Sequence, residues 1–158
     1  MLDWESLFKR YVWDSQTTPY FTPAARLTRT QADNEVLAIS LFVGVLFAVV
    51  ALAALTDRTP FGRSPILGLY AFTVVAAAVV FNYAKLLAAA AYVAVAPLAG
   101  LVYVGVYGFG AAHARLDSLV VAGVLLLMLL YAPRLIAIAR AYSDMEDGAP
   151  QPRRRLFK

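Results

Sequence analysis

The chain has 158 residues, of which 61% are hydrophobic and only 15% charged, with a formal net charge of +4 and a mean hydropathy of +0.68. A soluble domain of this size has too little interior to hide so much apolar side chain, whereas long uncharged stretches suit a bilayer whose core takes about 20 apolar residues per helix. Cysteine is absent and His113 is the single histidine, which excludes disulfides, thiol nucleophiles, thiolate metal sites and, within one chain, a bis-histidine haem or histidine-based zinc site.

Residues 1–34 read as an aromatic and polar leader with a connector. Trp4, Leu7, Phe8 and Tyr11 recur at the spacing of one helical face, with Trp13 close by and Asp3, Lys9, Arg10 and Asp14 mostly off that stripe. The pattern predicts a short amphipathic helix lying in the membrane interface, or equally one packed on a partner protein. The prolines of "TTPYFTPAAR" break that helix and predict an extended connector. No cleavable signal peptide is expected, because the first apolar run begins near Glu35 instead of close behind a basic N-terminus.

A capping box is predicted at Thr28 with Gln31, opening a helix that leads into a first span over 35–55. Those residues rise ~31 Å, enough to cross once. Glu35 falls in the opening turn of that span and reads as a carboxylate favoured by the helix dipole. After the polar loop "TDRTPFGRSP", Ser64 and Pro65 predict the cap and first position of a second span over 65–81.

The apolar run from Ile66 to Phe109 is too long for one helix and is interrupted by a single cation, Lys85. Breaking the run at "NYAK" gives spans over 65–81 and 86–109 and places Lys85 in a surface turn. Breaking it at "PLAG" leaves too few residues for a further crossing and buries Lys85 in the bilayer, at a cost of ~3 kcal/mol or more. The turn at Lys85 is therefore expected, with Pro97 as a kink inside the third span. A fourth span follows over 119–142 and contains Pro133. Arg134 and Arg140 near its end can snorkel to the surface. Residues 143–158 read as a basic, disordered tail.

The expected fold is thus an all-α membrane protein: a four-helix transmembrane domain over 35–142 behind an interfacial N-terminal helix. With four crossings, Lys9, Arg10, Arg26, Arg29, Lys85, Arg134, Arg140, Arg153, Arg154, Arg155 and Lys158 fall on one side. Arg58, Arg63 and Arg115 fall on the other, so the basic residues predict cytoplasmic termini. The alanine, valine and arginine preference and the compact loops suggest a bacterial inner membrane.

No reaction is spelled out by the sequence, and no catalytic residue, metal site or cofactor is expected. His113, Asp117 and Ser118 share one loop without the scaffold of a hydrolase. Aside from boundary positions, the spans carry no ionisable residue of the kind that marks an ion-coupled pump. Ser40, Gly44 and Ala48 repeat every four residues, as do Ala96 and Gly100. Both stripes predict close helix packing, inside the bundle or against a partner. Tyr92, Tyr103 and Tyr107 on the third span need hydroxyl partners. Arg134, Arg140, Arg153, Arg154, Arg155 and Lys158 are candidates for anionic lipid or an acidic partner, or serve only to set orientation.

The expected partners are membrane lipids and other integral membrane subunits; nucleic acid is not expected, because the basic residues are few and tied to membrane boundaries. The leading expectation is a non-catalytic accessory or structural subunit of a larger membrane complex, with energy-transducing assemblies as one setting. The alternative is a homo-oligomeric transporter or channel for a small or lipidic solute, with Tyr92 and Tyr103 along its path.

Overall fold

The computed structural model describes residues 22–56, 64–107 and 115–147, with only the backbone of Tyr107, Arg115 and Asp117. All the regular structure among them is helical: α1 Arg29–Leu55, α2 Pro65–Ala84, α3 Leu87–Tyr107 and α4 Arg115–Ala141, with short 3-10 turns at Ala24–Arg26 and Tyr142–Asp144. All four long helices are long and apolar enough to cross a membrane, the pattern of a multi-pass membrane protein. The expected interfacial helix at the N-terminus, His113 and the end of the tail lie outside the described residues.

The starts of α1 and α2 have local causes. Thr28 caps α1: its hydroxyl accepts from the Gln31 amide, and the Gln31 side chain accepts from the Thr28 amide, so free donors of the first turn are satisfied. Ser64 accepts from the Leu67 amide at the start of α2, where Pro65 sits at a position that needs no hydrogen-bond donor. The far end of α1 closes with the Thr56 hydroxyl on the Ala53 carbonyl at 3.0 Å.

Between α2 and α3 the chain turns within two residues. Helix α2 continues to Ala84, three residues past its expected end, because Lys85 supplies the left-handed cap at φ 51° and its amide bonds back to the Phe81 carbonyl. Lys85 is thus in a turn, as its position in the apolar run requires. Pro97 and Pro133 are accommodated inside continuous helices.

The helices run up and down in sequence, α1 packing on α2, α2 on α3 and α3 on α4. Their shared core is made largely of small and β-branched residues, including Val36, Ala71, Val74, Ala78 and Ala90, with Phe47, Phe81 and Ile138 as its larger members. The outer surface is apolar as well: Leu52 is 67% exposed and Leu130 is 70% exposed. Hydrocarbon can cover such a surface without cost, whereas water cannot.

Candidate functional site

Polar side chains gather at one end of the bundle, where the start of α1, the α2–α3 turn and the end of α4 meet. The capping box sets this up. Because α1 begins at Arg29, Glu35 lies beyond its first turn, where the helix dipole has already faded. Glu35 is therefore not the cap-region charge expected from the sequence. Its side chain is fully enclosed, and its partners belong to α4.

Tyr131 and Arg134 are three residues apart on α4 and so share one helix face. The Tyr131 hydroxyl and the Arg134 Nε both donate to Glu35 Oε1. Arg134 Nη2 donates to Oε2 at 2.8 Å, completing a two-pronged pair. The remaining prong, Nη1, donates to the Thr22 carbonyl at 2.7 Å. Arg134 therefore joins three segments: α4, α1 and the connector ahead of α1. Burying two charges is costly, and the cost is recovered only when geometry and extra hydrogen bonds fill the remaining polar valences. Tyr131 and Thr22 supply those bonds.

Asp33 does the corresponding work toward the turn. Its Oδ1 lies 3.1 Å from Lys85 Nζ and accepts from the Tyr142 hydroxyl at 2.9 Å. The Lys85 ammonium also donates to the Asn82 carbonyl and stands 5.7 Å from the centre of the Tyr142 ring. Residues two apart on a helix point in different directions. Asp33 and Glu35 accordingly reach different neighbours, and α1 is held to the turn with one carboxylate and to α4 with the other. Outside this layer Arg29 meets Asp147 at 3.0 Å and the Ser143 carbonyl at 3.2 Å. Its backbone amide bonds to the Glu146 carbonyl, so the segment after α4 folds back over the start of α1.

Every carboxylate of this layer faces a cation, so its chemistry is charge neutralisation and cross-linking. Among the described residues no group of three or more His, Asp or Glu could hold a metal ion.

The expected packing residues divide between two environments. Ala96 is buried and its carbonyl accepts from the Tyr70 hydroxyl of α2 at 3.2 Å. Gly100 faces Leu125, whose Cδ1 would lie 3.0 Å from an added Cβ, so α3 and α4 approach closely there. On α1, Ser40 is buried with its hydroxyl unbonded, whereas a Cβ on Gly44 would meet nothing within 4 Å. Ala48 is half-buried. Tyr92 shares a 2.7 Å hydrogen bond with Thr73. Of the two arginines expected to snorkel, Arg140 is exposed and Arg134 is turned inward. The docking set Trp4, Leu7, Phe8, Tyr11 and Trp13, and the tail residues Arg153, Arg154, Arg155 and Lys158, lie outside the described residues.

Sequence reasoning missed Asp33, Tyr131 and Tyr142 as members of a cluster. One signal was available: Glu35 and Arg134 stand at the same end of their respective spans with opposite charge, and an ionisable residue at such depth calls for a partner. No family model matches the chain, and comparison with curated proteins and with solved structures finds no match.

Proposed function

We propose that this chain is a non-catalytic accessory or structural subunit of a larger complex in a bacterial inner membrane, with both termini on the cytoplasmic side. The supporting observation is the use made of Arg134. Its three-way bonding to Glu35 and the Thr22 carbonyl spends the buried charge on holding the bundle together. The same bond fixes the point from which the aromatic leader departs. A bundle that anchors its leader in this way is suited to present Trp4, Leu7, Phe8, Tyr11 and Trp13 to the membrane interface or to a neighbouring subunit.

The test is extraction in mild detergent, followed by native mass determination of everything that co-elutes. Association with foreign membrane subunits at fixed stoichiometry is the expected result. Deleting residues 1–20 should then release the chain from its partners while its thermal unfolding stays unchanged. A discrete homo-oligomer with no foreign chain would overturn the subunit reading and favour the transporter.

A further inference from the structure

The outer side of the α3–α4 pair carries a groove of about 510 Å³. Its α4 wall is the stripe Leu129, Ala132, Pro133, Ile136, Ala137 and Arg140, one face of the helix at three- and four-residue steps, and its other wall is α3 between Ala94 and Leu98. Small residues at the middle of the stripe hollow it out. All of the lining is apolar except Arg140 at one end. Arg140 is exposed and makes no hydrogen bond or ion pair with any described residue, in contrast to Arg134 six positions earlier.

We infer that this groove holds one acyl chain of an anionic phospholipid, with the phosphate of the headgroup on Arg140. Three observations converge on a lipid. The first is length: Leu129 to Arg140 is ~16 Å along a helix, about half of the ~30 Å hydrocarbon thickness, so the groove matches a single leaflet. Depth agrees as well. Arg140 stands two residues before Tyr142, which belongs to the ion-paired layer with Asp33 and Lys85, so the arginine lies where the hydrocarbon gives way to headgroups. Charge is the third. The guanidinium is a fork of donors without an internal acceptor, and a phosphate answers it in two-pronged fashion. The inference concerns the isolated chain and does not depend on its membership of a complex.

The full-length protein, reconstituted in vesicles of phosphatidylglycerol and phosphatidylcholine in equal amounts with matched acyl chains, should be released for native mass spectrometry and its retained lipids counted. One phospholipid per chain is expected, with phosphatidylglycerol favoured about five-fold, the factor that one arginine near an anionic group supplies. Arg140→Gln should abolish the preference and Arg140→Lys should keep most of it. Ala137→Leu, at an exposed position of the groove wall, should reduce retention of both lipids without altering the fold seen by circular dichroism. An undiminished preference in Arg140→Gln would overturn the headgroup assignment. Unchanged retention in Ala137→Leu, or a protein chain cross-linking at position 137 where no lipid is retained, would overturn the groove itself.

Discussion

The two ends of the bundle are held by different means. At one end α1 is tied to α4 and to the α2–α3 turn through Glu35, Arg134, Asp33 and Lys85, with tyrosine hydroxyls completing the bonds. At the other end, among the described residues, α1 and α2 are joined by the Ser64 amide on the Ala54 carbonyl at 3.0 Å, and Gly68 faces Leu55, which an added Cβ would meet at 3.5 Å. In hydrocarbon, apolar side chains gain little by exchanging lipid for one another, so helices of this kind need small-residue packing or polar bonds to choose a single arrangement. Here each is used at a different level. The polar layer ties α1 to α4 and to the α2–α3 turn, and small residues such as Gly100 let α3 and α4 approach.

The contrast is tested most severely at the buried pair. Arg134→Ala or Glu35→Ala should each cost ~3–5 kcal/mol, because the surviving charge is left enclosed and unpaired. Denaturant titration in micelles reads the loss. The double variant Glu35→Met, Arg134→Met should recover most of it, since replacing the whole pair by apolar side chains removes the stranded charge. A double variant as unstable as either single one would mean that the pair is worth more than its own correction.

Next in size is overpacking at the small-residue contacts. Gly100→Leu should destabilise by about 1–3 kcal/mol, because Leu125 already stands against the glycine. Gly44→Leu should leave the isolated chain unchanged, since the space around it is open. If Gly44→Leu leaves the fold intact and disrupts co-elution with partners, the α1 stripe is an outward-facing contact. Equal destabilisation by both substitutions would contradict the close approach at Gly100.

Lys85 sharpens the comparison at lower energy. A non-glycine residue in the left-handed region costs about 1–2 kcal/mol, so a glycine would suit the backbone better than lysine does. The ion pair with Asp33 and the hydrogen bond to the Asn82 carbonyl offset that cost. Lys85→Ala should lose the side-chain contacts, keep the strain, and lower stability by about 1 kcal/mol. Lys85→Gly should be closer to neutral, as relief of the backbone cancels the lost bonds. Smallest is the cap: Thr28→Ala should cost ~1 kcal/mol and fray the first turn of α1, seen as faster amide exchange from Arg29 to Ala32.

How far each feature could be read in advance depended on the range of the interactions behind it. The break at Lys85, the Thr28–Gln31 box and the Ser64–Pro65 start are decided by neighbours within a few positions, so they were legible. The end of α2 was misplaced by three residues because a lysine, instead of the usual glycine or asparagine, takes the left-handed cap, and its compensation comes from Asp33, remote in sequence. Glu35 was misread for a related reason. An acidic residue near a helix start has a sufficient local explanation, and nothing local reveals that Tyr131 and Arg134 stand opposite it. The stripes at Ser40–Gly44–Ala48 and Ala96–Gly100 look alike in sequence, yet one opens to empty space at Gly44 and the other presses on Leu125.

The sequence by itself determined four helices, their approximate bounds and their apolar character, because helix formation in this chain is governed by hydropathy, capping and the absence of charge over short windows. Tertiary structure alone decided which charges are paired, which small residues face a neighbour, and that Arg134 turns inward while Arg140 stays exposed. Those outcomes depend on residues remote in sequence meeting in space, as Asp33 and Tyr142 do from 109 positions apart, and no short-range pattern encodes such a meeting.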